Sequence, residues 1–589
     1  MDTGSDVGKR ELHPVMGTRS DAAKREPRPA MGTGSDAAKR EPRPAMGTRS
    51  DAAKREPRPA MGTRSDVGKR ELHPVMFAGT GSDVGKSVLA TALCRILNQD
   101  GYSPAPVKAQ NMALNSFATP DGLEIGRAQA VQAEAAGLAP HTDMNPLLLK
   151  PQSDHTSQVV LDGKPIGNRD AYDYFRKQGR EELRQAVFAA FDRLSACHNP
   201  IVMEGAGSLA EINLRDSDLV NVPMARYADA DIILVGDIDR GGVFASVYGS
   251  LMLLPPEDRA LVKGIIINKF RGDLRLFDDG RRMLEELCGI PVLGVVPVFT
   301  DIHIEEEDSV ALAAKSTAAE RGKINVAVVL LRHISNFTDF DALERDPRVH
   351  LFYTGSAEEI AKADIIILPG SKSTIDDLYH LRKSGLAQAI LRARRDGATV
   401  LGICGGYQMM GRMICDPHRT EGEIERMPGL GLLPVETEML PEKVTRQVRF
   451  TMAGGPGNEY KRRYDGDTMT GNPENEFKRV NGSATMTGYE IHMGESRPAD
   501  GASAAPLNMI EGGQADGCYV DDKCMGTYIH GILDNPAFVE RLLTPHSGKV
   551  NTDAPTEGYH TFRERQYDLL ADHFRKYVDM DLLYKILGR

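Results

Sequence analysis

Short, continuous runs of apolar residues, separated by segments with helical spacing, recur over most of this chain and restrict its fold more than any other feature. From Val75 to Pro297 the runs are VMFA (75–78), IVMEGA (201–206), DIILVGDID (231–239), GIIINKF (264–270) and VLGVVPV (292–298). Between them, VLATALCRIL (88–97) and REELRQAVFAAFDRL (180–194) repeat apolar residues at the period of a helix with one buried face. A strand with one face in water alternates apolar and polar residues. Runs that do not alternate are buried on both faces, as in a parallel sheet covered by helices. After the polar stretch AAKSTAAERGK (313–323) the pattern restarts with INVAVVLL (324–331), DIIILPGS (364–371) and ATVLGICGG (398–406). The expectation is an α/β chain with two parallel-sheet domains, 72–312 and 324–589, joined by a linker at 313–323.

Residues 1–71 lie outside this pattern. A fifteen-residue unit, MGTRSDAAKREPRPA or a close variant, begins at Met1, Met16, Met31, Met46 and Met61. Rich in charge, Gly and Pro, it offers no apolar face to bury and is expected to be disordered. It echoes the GTGSDVGK string at 79–86, but without a preceding apolar strand, and Arg follows Lys9 and Lys69 where a phosphate loop needs a hydroxyl. No catalytic role is expected of it. A second duplication, NEYKRRYDGDTMTG (458–471) and NEFKRVNGSATMTG (475–488), marks the polar stretch 453–487 as a surface insertion.

The net charge of -11 and pI near 5.8 argue against nucleic acid as a partner. The seven cysteines are scattered, with no CxxC pair. This is unlike a disulfide scaffold or zinc site and fits a reducing cytoplasm. No apolar run approaches the ~18 residues that span a bilayer, so no membrane partner is expected. A homo-oligomer stays open.

Gly79, Thr80, Gly81, Ser82, Asp83, Val84, Gly85, Lys86 and Ser87 follow a short apolar strand and open a helix. Glycines let backbone N–H groups wrap a phosphate, and the helix N-terminus adds a favourable field. Lys86 is expected to reach the ATP phosphates and Ser87 to hold Mg²⁺. The glycine spacing departs from GxxxxGK[ST] and resembles the variant loop of dethiobiotin synthetase and MinD-like ATPases. Acidic residues close to strand ends, Glu204 first and then Asp237 and Asp239, are candidates for a second Mg²⁺ ligand. Asn268 and Lys269 are candidates for reading the nucleobase.

The second domain carries Gly402-Ile403-Cys404-Gly405-Gly406 between the apolar strand ATVL and the helical QMMGRMI. A strand–nucleophile–helix elbow exposes its nucleophile on a sharp turn. Here the helix N-terminus favours the thiolate, and the N–H of Gly405 can stabilise an oxyanion. The base is expected to be His530 in GTYIHGILDN, with His492 in GYEIHMG as the rival.

These strings, with KAQNMALNS (108–116), NPLLLKPQSD (145–154), VMEGAGSLAEINL (202–214), DIDRGGVFAS (237–246), INKFRGD (267–273) and LPGSKSTIDDL (368–378), resemble the cobyric acid synthase family from about residue 72 onward. KAQNMALNS and DIDRGGVFAS favour it over the related cobyrinic acid a,c-diamide synthases. The resemblance implies a dethiobiotin-synthetase-like ATPase domain followed by a class I glutaminase domain. It implies Cys404 as nucleophile, His530 as base, Gly405 and Gly370 at the oxyanion, and glutamine as nitrogen donor. It also implies ATP-driven amidation of the b, d, e and g carboxylates of a corrinoid, adenosylcobyrinic acid a,c-diamide. Lys108 and Lys150 are candidates for pairing with substrate carboxylates or phosphate. Class I glutaminases carry a Glu two residues after the His; here that position is Ile532, so the group that orients His530 is unassigned.

Overall fold

The computed structural model describes residues 71–152, 156–170, 180–305, 312, 315–453, 485–550 and 557–588. The chain divides into two compact units, Met1–Ala60 and Met61–Arg589. The first unit lies wholly outside the described residues, as do 454–484 of the expected insertion and 313–314 of the expected linker.

In the first domain six parallel strands run in the order Val292–Pro297, Val262–Phe270, Asp231–Asp237, Val75–Gly79 (β1), Ile201–Glu204, Ala105–Val107. Both faces are covered, as the unbroken apolar runs require. Met76, Ala78, Ile232 and Leu234 pack into one core, and Val75, Phe77, Ile233 and Val235 into the other. Because the strands are parallel, Gly79, Glu204, Asp237 and Asn268 gather at one edge, the carboxyl end where such sheets bind ligands. Helix α1 (Lys86–Gln99) follows β1 after the loop 80–85, and helix α2 (Arg127–Ala135) packs against it.

The second domain repeats the plan with the order Val349–Thr354, Ile324–Val329, Ile365–Leu368, Thr399–Ile403, Cys524–Thr527, Cys518–Asp521; only the last strand is antiparallel. A long antiparallel pair, Val435–Met452 with Met486–Pro498, reaches across to the first domain, where Gln447 Nε2 donates to Ala118 O (3.0 Å). The apolar-run pattern does not mark this pair, because its residues alternate in burial.

Two local expectations change. The helix after Cys404 spans only Gly405–Met410; Gly411 ends it, and Met413–Cys415 is a strand. The end of the chain, expected within the second domain, instead returns to the first. Helices Tyr559–Tyr577 and Met580–Leu587 bury Tyr567, Leu570, Phe574, Leu583 and Leu587 with Val75, Phe77 and Leu93. These apolar residues need a covering face, and the first sheet offers one beside α1. Ion pairs of Arg95 with Asp568 (2.7 Å) and Arg575 with Asp100 (2.6 Å) fix the contact.

Candidate functional site

The sequence builds two sites, one at the carboxyl edge of each parallel sheet. In the first, the loop from Gly79 to Lys86 is wound so tightly that a Cβ on Gly79 would lie 2.7 Å from Gly81 O and 2.9 Å from Lys86 Nζ. Gly85 has φ +96°, which glycine alone adopts freely, and a Cβ there would collide with Asn268 Nδ2. Thr80 N–H donates to Val235 O (3.0 Å), tying the loop to the neighbouring strand. Lys86 Nζ donates to Gly81 O and Gly207 O, both at 3.0 Å.

Ser87 Oγ donates to Glu204 Oε1 (2.8 Å), so the two expected Mg²⁺ ligands stand side by side. Lys108 Nζ lies 2.9 Å from the same oxygen, and Gln132 Nε2 donates to Oε2 (2.6 Å). Burial opposes the Glu204 charge, but Lys108, Gln132 and Lys86 outweigh it and hold the carboxyl below the usual range. An oxygen pair of this kind fits a hard divalent cation, which would compete with Lys108 for Oε1. The other two acidic candidates each stand beside a cation: Asp237 is 3.2 Å from Lys269, and Asp239 is 2.6 Å from Arg271 at the surface. Asn268 turns its amide onto Val84 O (2.8 Å), buttressing the loop from behind.

In the second site, strand Thr399–Ile403 ends at Cys404, whose φ of 53° and ψ of −112° lie in a region costing about 1–3 kcal/mol for a non-glycine residue. The surroundings enforce the turn. A Cβ on Gly406 would sit 1.9 Å from Leu368 O, and one on Gly402 would meet the Tyr407 backbone at 2.7 Å. The thiol is not sealed in hydrocarbon. It lines a cavity with Lys372, Gln408, Glu421, Lys443 and His530, bordered by Lys150 from the first domain.

His530 Nδ1 is 2.7 Å from Asp339 Oδ2, which leaves Nε2 as the ring nitrogen able to meet the thiol. Burial works against the charged imidazolium, but Asp339 and the Cys404 thiol outweigh it and push His530 up to about 10. Asp339 Oδ1 also accepts from Gly531 N–H (3.1 Å), so the carboxylate grips ring and backbone together. This is the orienting acid that the sequence left unassigned, and Ile532 is fully buried instead. Asp339 lies 191 residues from His530, in the run Phe337–Phe340, and no spacing rule links the two. His492, the rival base, points Nδ1 at Gly494 O (3.0 Å), stacks on Tyr528 (3.8 Å between centroids) and is pushed down by burial to about 4.

Gly370 packs against the same histidine: a Cβ there would lie 3.4 Å from His530 Cε1, and one on Gly405 would lie 2.9 Å from Ser371 N. Lys372 and Glu421 add a buried cation and a buried anion to the cavity. Burial moves Lys372 down to about 8 and Glu421 up to about 7. Lys108 and Lys150, expected to meet substrate, are buried and paired within the protein, Lys150 with Glu124 at 2.7 Å.

A phosphate loop with an adjoining acid, joined to a cysteine–histidine–acid elbow, defines an ATP-dependent glutamine amidotransferase ligase. Residues 75–310 match the CobQ/CobB/MinD/ParA nucleotide binding domain, and 325–538 the CobB/CobQ-like glutamine amidotransferase domain. The chain is 64% identical over 514 residues to a cobyric acid synthase of Phocaeicola vulgatus, covering 87% of this chain and 98% of the relative. It is 65% identical over 513 residues to one from Bacteroides fragilis and 47% over 520 residues to one from Klebsiella pneumoniae, with the same shares covered. The chain belongs to the cobyric acid synthase family. Among the described residues no helix is long and apolar enough to cross a membrane.

Proposed function

We propose that the protein amidates the b, d, e and g carboxylates of adenosylcobyrinic acid a,c-diamide, giving adenosylcobyric acid, with nitrogen from glutamine. The reading rests on its membership of the family and, above all, on one observation: the cavity holding Cys404 and His530 is bordered by Lys150 of the ATP-binding domain, so nitrogen is freed against the domain that consumes it. In this reading His530 takes the Cys404 proton, and the thiolate attacks the amide carbon of glutamine. The N–H groups of Gly405 and Gly370 meet the oxyanion. His530 then returns the proton to the departing ammonia, and water frees glutamate from the thioester. Lys372 and Glu421 have the charges to meet the α-carboxylate and α-ammonium of glutamine.

In the first domain the loop Gly79, Thr80, Gly81, Gly85 and Lys86 would hold the ATP phosphates, with Asn268 bracing it, and Ser87 with Glu204 would hold Mg²⁺. ATP supplies the leaving group that a carboxylate lacks, and Mg²⁺ would offset the phosphate charge. The unpaired state of all seven cysteines supports a reducing, cytoplasmic location. The test is Cys404→Ala: glutamine-driven amidation is abolished while ammonia-driven amidation persists. Mass spectrometry counts the OH-to-NH₂ exchanges on the corrinoid. Glutamine-driven turnover surviving in Cys404→Ala would overturn the assignment.

A further inference from the structure

The turn that presents Asp339 to His530 is held by the other domain. Asn336 opens this turn, with Asp339 N–H donating to its carbonyl (3.1 Å). It is 3% exposed and left-handed, φ 52° and ψ 42°. Its carboxamide reaches into the first domain: Oδ1 accepts from Ser116 N–H (3.2 Å), and Nδ2 donates to Ser116 O (3.1 Å). This two-point pairing of a side-chain amide with a peptide mimics one rung of a β-ladder. Nδ2 also donates to the Tyr489 hydroxyl (3.1 Å), and the Tyr489 ring stacks on the His530 imidazole at 5.3 Å and 20°. Both supports of the imidazole, the Asp339 carboxylate and the Tyr489 ring, are therefore referred to Asn336.

On the first-domain side the contacts continue to the nucleotide site. Asn115 Oδ1 accepts from Phe337 N–H (3.2 Å), and Asn115 O accepts from the N–H of Arg127, the first residue of α2 (3.2 Å). Further along α2, Gln132 donates to Glu204, which shares its other oxygen with Ser87 and Lys108. A ligand that changes how Glu204 is bonded thereby makes a differential contact with α2, which is the requirement for coupling two sites.

We infer that Asn336 is a positioning residue: it aligns His530 with Cys404 through its hold on Ser116, and it makes glutamine hydrolysis responsive to occupancy of the nucleotide site. The inference rests on the assignment of Cys404 and His530 as the glutaminase pair. A displacement of about 1 Å at a catalytic base costs on the order of a hundredfold in rate, so a joint this close to the imidazole has leverage.

The experiment measures glutamate release by the full chain with and without Mg²⁺ and a non-hydrolysable ATP analogue. Wild type is expected to respond by about fivefold or more, the usual size of a coupling between sites. Asn336→Gly keeps the left-handed backbone and removes only the carboxamide. It is expected to lower kcat for glutamine with little change in KM and to lose the nucleotide response, while ammonia-driven amidation continues. Tyr489→Phe keeps the ring and removes one bond; it is expected to weaken the response and serves as the test if Asn336→Gly does not fold. A wild type indifferent to the analogue, or variants that respond as wild type does, would overturn the inference. Cys404→Ala, run alongside, reports separately on the glutaminase assignment.

Discussion

Replacing Asp339 with Asn changes one atom's chemistry at the base of the glutaminase, and the structure sets the size of the effect. Asp339 offers one oxygen to His530 Nδ1 (2.7 Å) and the other to Gly531 N–H (3.1 Å). An asparagine has a single acceptor oxygen, so one of these two donors must face an NH₂ group. If the amide nitrogen turns to the ring, it forces the proton onto Nε2, the wrong tautomer for taking a proton from Cys404. If it turns to Gly531, two N–H groups oppose each other in a buried space, at about 1–3 kcal/mol. Either way the charge-assisted bond is lost, worth roughly 1.5–3 kcal/mol, and burial then disfavours the imidazolium that Asp339 had stabilised. The total of about 3–5 kcal/mol corresponds to roughly 10²- to 10⁴-fold in kcat/KM for glutamine. Glutamate release is the assay, with ammonia-driven amidation as the control for folding. A kcat/KM within about threefold of wild type, under 1 kcal/mol, would refute the reasoning.

Glutamine use is expected to be bell-shaped in pH. Glu421, raised to about 7, keeps its charge only above that value and loses it as pH falls; Lys372, lowered to about 8, keeps its charge below that value and loses it as pH rises. Glu421→Gln should flatten the acid limb of kcat/KM, and an unchanged acid limb would remove Glu421 from glutamine binding. Gly85→Ala, which drives a Cβ onto Asn268 from a left-handed backbone, should abolish ATP hydrolysis while glutamate release persists without nucleotide. Phe574→Ala empties a buried position between the final helices and the first sheet and should cost about 3–5 kcal/mol, read by urea denaturation.

Much of the fold was legible because burial on both faces writes itself as unbroken apolar runs. Ile201–Glu204, Asp231–Asp237, Ile365–Leu368 and Thr399–Ile403 all fall within the runs read from sequence. Ala105–Val107 escaped because three residues carry no periodicity, and Val435–Met452 because its residues alternate. Of the candidate sites, the local features were readable: a glycine loop before a helix and a cysteine between glycines announce themselves within ten residues. Asp339, Asn336, Lys372 and Glu421 were not, since only the tertiary fold brings their partners near. The final helices were misplaced for a related reason. An amphipathic pattern states that a face must be covered, and does not state by which domain.

That last arrangement has a consequence for synthesis on the ribosome. The first sheet is translated before the glutaminase half, yet part of its cover comes from residues 559–587, which are made after that half. The ATP-binding half therefore waits, with one side open, until the glutaminase half has been produced between its two portions. A nascent chain cannot release a finished ligase ahead of its nitrogen source, and separating the halves at 313–323 would leave the first without its closing helices.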